Sequence, residues 1–215
     1  ARALVIDPSV AGILDRERER VRWPSMFDEH APKFIQTLDD LKVKLYPYQR
    51  DGVLKALSRG RFLLGDDMGL GKTTQAIAWA EALLASGVVR RILVISPAAL
   101  KSQWRREWEL VSGRIISIVG GSGSERAETY QSDSQVLIMN YELLLRDGDV
   151  IPSTDFDAVI LDEAQRIKNY ATQTARQVKR LTPPFRLILT GTPMENRVSD
   201  FASLMEWIDN EALGP

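Results

Sequence analysis

The chain has 215 residues, 44% hydrophobic and 27% charged, and its 28 basic and 29 acidic residues leave a net charge of −1. That length and balance suit one sizeable soluble α/β domain, or a domain with an appendage, and announce no overall nucleic-acid footprint, although a local basic patch would suffice for one. With no cysteine and one histidine, His30, disulfides, cysteine-ligated zinc and histidine-based metal sites are excluded, and no run of about 18 apolar residues offers a membrane span.

Asp7-Pro8 cuts the opening apolar stretch short of a signal peptide. The chain starts without Met and stops after a helical pattern at Gly214-Pro215, which reads as a piece of something longer. Residues 1–44 are expected to form a helical appendage or the end of a preceding domain. Within them, the alternating charges Asp15-Arg16-Glu17-Arg18-Glu19-Arg20 suit a solvated helix. Trp23-Pro24 is expected to end that helix, because the residue before proline is pushed out of the α region. Phe34, Ile35, Leu38 and Leu41 recur at helical spacing and predict a second short helix docked on the body, with His30 on the surface.

From residue 45 onward the pattern changes. Pro47 opens a helix running to about Ser58, with Val53, Leu54 and Leu57 on its buried face. Arg61-Phe62-Leu63-Leu64 is a short strand, and Gln75 begins an alanine-rich helical run. Further strands are expected at residues 91–96, 114–119, 135–139, 157–161 and 185–189. A helix follows the first of these at residues 100–111, a short one opens at Asn140-Tyr141-Glu142, and residues 120–124 form a surface loop. These are continuous β-branched and leucine runs rather than alternating ones, so the strands are covered on both faces. Helices between them imply right-handed crossovers in a parallel, doubly covered α/β sheet over residues 45–215.

Ligands of such sheets bind at the carboxyl ends of the strands. Five polar clusters fall there: residues 66–74, Ser96-Pro97, Asn140-Tyr141-Glu142, Asp162-Glu163 and Thr190-Gly191-Thr192. The first, Gly65-Asp66-Asp67-Met68-Gly69-Leu70-Gly71-Lys72-Thr73-Thr74, lies between a strand and a helix, the order a phosphate cradle needs. Lys72 would supply charge to β- and γ-phosphates, and the Thr73 hydroxyl a ligand for Mg²⁺. Asp66 stands where the G-x-x-x-x-G-K-T pattern has its first glycine, and a glycine-containing βα turn carrying a lysine without any ligand is the alternative. Asp162-Glu163 follows an apolar strand. Asp162 is placed to hold Mg²⁺ and Glu163 to position and deprotonate water; alternatively, two acids simply favour a helix N-terminus.

Together these motifs resemble the superfamily-two helicases and, within them, the SWI/SNF-like DNA translocases, over residues 45–208. That family's nucleotide loop carries two acids before Met-Gly-Leu-Gly-Lys-Thr, as here. The resemblance implies a RecA-like P-loop NTPase lobe that hydrolyses ATP with Mg²⁺. Gln49, in Tyr46-Pro47-Tyr48-Gln49, resembles the family's adenine-sensing glutamine. With it, Tyr48, Asp67, Met68, Gly69, Leu70, Gly71, Lys72, Thr73 and Thr74 make the nucleotide site. Lys72, Asp162 and Glu163 are the catalytic set. The acidic box Asp162-Glu163-Ala164-Gln165-Arg166-Ile167-Lys168-Asn169 has Gln165 where many members have His. Thr190, Gly191 and Thr192 match the segment linking the ATP site to the DNA-gripping surface, which here comprises Ser96, Pro97, Lys101, Gln103, Asn140, Tyr141 and Glu142.

Trp104 and Trp108 are read as core rather than base-stacking residues. Arg166, Lys168, Arg176, Lys179 and Arg180 decorate a solvated face or bind a strand or partner. The implied partners are double-stranded DNA, a second RecA-like lobe of the same polypeptide and a DNA-bound protein, in a nucleoid or cytoplasm if prokaryotic and a nucleus if eukaryotic. Without that second lobe's arginines, the 215 residues alone are expected to hydrolyse ATP feebly. The competing readings are a strand-separating helicase or restriction-type motor subunit, and a scaffold that binds nucleotide or DNA without turnover.

Overall fold

A computed structural model describes residues 8–67, 69–151, 156–164, 173–191 and 198–209. Among these residues six parallel strands run in the order β1-β6-β5-β2-β4-β3: β1 (Arg61–Leu64), β2 (Ile92–Ser96), β3 (Ser117–Ile118), β4 (Val136–Asn140), β5 (Ala158–Leu161) and β6 (Phe185–Leu189). The helices are α1 (Pro8–Asp39), α2 (Pro47–Arg59), α3 (Lys72–Ala85), α4 (Lys101–Ser112), α5 (Gly123–Gln131), α6 (Tyr141–Asp147), α7 (Gln173–Arg180) and α8 (Val198–Ile208).

Alternation along each strand divides the apolar side chains between two layers. Ile92, Val94, Ile138, Ile160 and Leu187 join one buried cluster with Leu57, Ile77, Leu83, Trp104 and Trp108, under α2, α3 and α4. Leu93, Ile95, Met139, Leu161 and Ile188 join the other with Leu144, Val178, Leu204 and Trp207, under α6, α7 and α8. Both faces are therefore covered, as continuous apolar strands require.

The structure corrects the sequence reading of several elements. Residues 8–39 form one helix of 32 residues that runs through Pro24. An interior proline costs about 3 kcal/mol, and its neighbour Trp23 supplies the compensation. Trp23 is buried, donates its indole N–H to Leu57 O at 2.7 Å, and meets Phe185 edge-on at 4.9 Å. Phe34 and Leu38 belong to the same core cluster as α2 and α3, whereas Ile35 is 43% exposed. His30 is half-buried and stacks on Trp23.

The strand expected over residues 114–119 shrinks to two residues at the sheet edge. Arg114 is drawn aside to Glu81, at 2.7 and 3.0 Å, and Ile115 is exposed. Finally, the expected loop at residues 120–124 is in part a helix start. Ser122 caps α5: its hydroxyl accepts from Glu125 N, and its own N–H donates to the Glu125 carboxylate at 2.7 Å.

Candidate functional site

Because the sheet is all parallel, the ends of β1, β6, β5, β2 and β4 share one rim in that order. The phosphate loop leaves β1, Thr190-Gly191 leaves β6, Asp162-Glu163 leaves β5, Ser96-Pro97 leaves β2, and β4 ends at Asn140. The loop and the acids are two strand spacings apart, about 10 Å, with Thr190 between them. Its N–H donates to Leu64 O at 3.2 Å and it is fully buried, which fixes this middle position.

The phosphate loop is held by its flanks. Gly69 and Gly71 take φ of 86° and 72°, a region open to glycine at no steric cost. A Cβ at Gly71 would lie 2.4 Å from Gln49 Nε2. Leu70 O accepts from both Gln49 Nε2 and the Tyr48 hydroxyl, each at 3.2 Å, while Gln49 Oε1 accepts from Tyr46 N at 3.0 Å. The Lys72 ammonium donates to Asp66 O at 2.8 Å and Asp67 O at 3.0 Å. Thr73 and Thr74 stand half-buried in the first turn of α3, where the helix dipole favours an anion. Met68 and Thr192 lie outside the described residues, as do Gln165, Arg166 and Lys168.

Asp162 is held at three atoms. Its N–H donates to Ile95 O at 2.8 Å, its carbonyl accepts the Tyr141 hydroxyl at 2.7 Å, and its carboxylate accepts the Trp104 indole N–H at 2.7 Å. Burial pushes the carboxyl from 3.8 up to about 6; the Trp104 hydrogen bond opposes the rise, and the Glu163 charge adds to it. Glu163 has φ 50°, the one left-handed non-glycine among the described residues. Such strain is held in place by surrounding contacts and gathers at working sites.

The residues assigned to the DNA surface divide by depth. Ser96 and Tyr141 are buried, the Ser96 hydroxyl on Pro97 O and the Tyr141 hydroxyl on Asp162 O, so neither presents a side chain to a strand. Asn140 is largely buried and donates to the exposed Glu142 at 2.6 Å. Gln103 is exposed and donates to Glu107, and Lys101 donates to Val119 O at 2.9 Å, its ammonium disfavoured by burial and favoured by Glu142. Pro97 is half-buried and precedes the 3₁₀ turn Ala98–Leu100 that leads into α4. On α7, Lys179 pairs with Glu206 and Arg180 with Asp149, while Arg176 is exposed.

Trp104 and Trp108 are core residues, but sequence reasoning missed what their N–H groups do. Trp108 donates to Glu81 of α3 at 2.6 Å, and Trp104 to Asp162. It also missed Gln75, whose amide donates to the Asp66 carboxylate at 2.9 Å. The one available signal was a polar residue on an otherwise alanine-rich buried helix face.

The donor set suits Mg²⁺ bound with a triphosphate. That ion uses one or two protein oxygens beside phosphate and water, and the Thr73 hydroxyl and Asp162 carboxylate are such oxygens. No group of three or more His, Cys, Asp or Glu that could cage a metal occurs among the described residues.

The family model for the SNF2-related domain matches residues 21–214. The chain belongs to the SNF2-related family. Its relatives include chicken "DNA repair and recombination protein RAD54B", 34% identical over 97% of this chain and 25% of that protein. Another is the "Uncharacterized ATP-dependent helicase" of Mycoplasma pneumoniae, 34% identical over 87% of this chain and 19% of that protein. Among solved structures, the Sulfolobus solfataricus SWI2/SNF2 ATPase core in complex with double-stranded DNA matches with a TM-score of 0.75 and 31% identity, over 82% of this chain and 38% of that one. This SNF2-related chain therefore has the RecA-like fold of such an ATPase core, and it spans about a quarter or less of the length of these curated relatives.

Proposed function

We propose that the chain is the ATP-binding lobe of a motor that moves along double-stranded DNA by hydrolysing ATP. The observation that carries this reading is the rim itself: a glycine loop with an inward lysine, a buried acid beside a strained one, and a buried threonine between them on one sheet edge. In this reading Lys72 and the first turn of α3 hold the phosphates, and the adenine edge takes the place of Leu70 O on the Gln49 amide, with Tyr48 beside it. Thr73 and Asp162 hold Mg²⁺, which when bound neutralises charge on the transferring phosphoryl group. Glu163 orients water and takes its proton. Thr190, Gly191 and Thr192 pass the state of that site to a DNA face built from Pro97, Lys101, Gln103, Asn140 and Glu142, with Ser96 and Tyr141 supporting it from beneath. Backbone N–H groups and small polar side chains there suit phosphate oxygens and read no sequence.

The motor's second lobe belongs to the remainder of the polypeptide and supplies arginines to the site. Such arginines are worth on the order of 10³ to 10⁵ in rate, so the 215 residues alone turn over ATP feebly. The protein works where its DNA is, the nucleoid of a prokaryote or the nucleus of a eukaryote, and a DNA-bound protein is the load it displaces or remodels. No helix among the described residues is long and apolar enough to cross a membrane.

Glu163→Gln in the full-length protein tests the assignment. DNA-stimulated ATP hydrolysis should collapse while ATP binding persists; unchanged hydrolysis would show the base to be elsewhere. Displacement of a complementary strand by the full-length protein would favour a strand-separating helicase instead, and ATP binding without DNA-stimulated turnover would favour a scaffold.

A further inference from the structure

Three buried side-chain polar atoms among the described residues have no hydrogen-bond partner: Gln75 Oε1, Trp79 Nε1 and Arg91 Nε. Two of the three belong to residues lining one small pocket of about 10 Å³, walled also by Gly52, Val53, Leu64 and Leu187. That volume admits the centre of about one water molecule.

The two atoms are complementary, one an acceptor and one a donor, and they stand a helical turn apart at i and i+4 on α3. Gln75 is 2% and Trp79 1% exposed, so bulk water does not satisfy them. The other four tryptophans each have a protein acceptor: Trp23 on Leu57 O, Trp104 on Asp162, Trp108 on Glu81, and Trp207 on Val178 O and Leu181 O. An orphaned indole N–H in such a core costs what the other four avoid.

We propose that a single buried water bridges Trp79 Nε1 and Gln75 Oε1, and that the bridge makes Gln75 a positioning residue for the phosphate loop. The water accepts from the indole and donates to the amide oxygen. The same amide's Nε2 donates to the Asp66 carboxylate at 2.9 Å, and Asp66 O accepts the Lys72 ammonium at 2.8 Å. A line of polar contacts thus runs from the core to the lysine of the loop. Gly52 on α2 leaves room for it, since a Cβ there would lie 2.5 Å from Gln75 Oε1. Gly52, Leu64 and Gln75 also line an open cleft of about 330 Å³ beside Asp66, which gives the water an entrance. The loop's acid at position 66 therefore acts as a handle for the helix behind it. The effect on nucleotide rests on the ATP-site reading, whereas the water bridge does not.

The test uses the ¹⁵N-labelled chain, with the Trp79 indole signal assigned by its loss in Trp79→Phe. Nuclear Overhauser contacts between indole N–H groups and long-lived water are recorded. Trp79 alone of the five should show one, and Gln75→Met should abolish it. Urea midpoints establish that the variants fold, and titration with a fluorescent ATP analogue and Mg²⁺ should show about tenfold weaker binding for Gln75→Met. Trp79→Phe, which keeps the amide but frees it to rotate, should bind more weakly than the parent but more tightly than Gln75→Met. Absence of the water contact at Trp79 in the parent chain overturns the bridge. A water contact together with unchanged nucleotide affinity in Gln75→Met overturns the positioning role. A parent chain that shows the contact yet binds no nucleotide supports the bridge and retires the ATP-site reading.

Discussion

Asp162 is placed where its charge is unwanted by the fold although, on the function proposed above, it is wanted by a ligand, and replacing it should therefore stabilise the protein. Burial raises its carboxyl from 3.8 to about 6. Between those values the native state binds a proton that the unfolded chain releases, so stability falls as pH rises through the window. The loss approaches about 3 kcal/mol above it, at 1.36 kcal/mol per pH unit. Asp162→Asn keeps an oxygen to accept the Trp104 N–H and carries no charge. In chelator and without nucleotide, its gain over the parent should be about 3 kcal/mol at pH 7.5, about 1.6 at pH 5 and about 0.6 at pH 4. Urea unfolding followed by circular dichroism reads this directly. In a Trp104→Phe background the carboxylate loses the donor that opposes the rise, and the gain at pH 7.5 should grow by about 1 kcal/mol. A gain of equal size at pH 4 and 7.5, or none at pH 7.5, would refute the idea that the acid is held against its solvation. Magnesium-dependent nucleotide binding should fall in the same variant, the usual exchange of stability for function.

Gly71→Ala puts a Cβ 2.4 Å from Gln49 Nε2 on a backbone with φ 72° and should weaken binding of a fluorescent ATP analogue at least tenfold. Gly69→Ala, which has φ 86° but nothing within 4 Å of the new Cβ, should cost only backbone strain of about 1 kcal/mol by urea unfolding. Tyr130→Phe removes a hydroxyl that donates to Asp147 Oδ2 at 2.9 Å inside the Arg126–Asp147 pair, and should destabilise by about 1 to 2 kcal/mol in the same assay. Pro24→Ala restores an N–H inside the continuous helix α1 and should raise the melting temperature; a drop would show that the proline sets a bend the packing of Trp23 needs.

The sheet was legible because its strands are buried on both faces and therefore read as unbroken apolar runs; residues 185–189 were placed to the residue. The rim was legible because polar residues that interrupt such runs at their carboxyl ends have few other reasons to be there. Helix α5 was not, since the Gly-Gly-Ser-Gly-Ser composition that suggests a loop hides the Ser122–Glu125 pair that starts the helix. Nor was the path of α1, because the penalty at Pro24 is local while the packing of Trp23 against Leu57 O and Phe185 is tertiary. The same distinction governs the site. Residue types make Lys72, Asp162 and Glu163 candidates, but a donor such as Trp104, 58 positions from Asp162 in the chain, has no local signature.

These unforeseen contacts place the site's rigidity in the two helices that leave the rim beside it. Helix α3 begins at Lys72, sends Gln75 to Asp66, and is tied through Glu81 to Trp108 of α4. Helix α4 begins at Lys101, carries Gln103 on its exposed face and Trp104 on its buried one, and so reaches Asp162 from the side opposite the proposed DNA surface. A displacement of α4 by a bound strand would have to move the indole that holds Asp162, or else rotate about it. Either motion alters the solvation of a buried acid, where small changes in a hydrogen bond are worth most. On this geometry, contact with DNA would bear on the carboxylate through Trp104 and on the carbonyl of the same residue through Tyr141, without passing through Thr190.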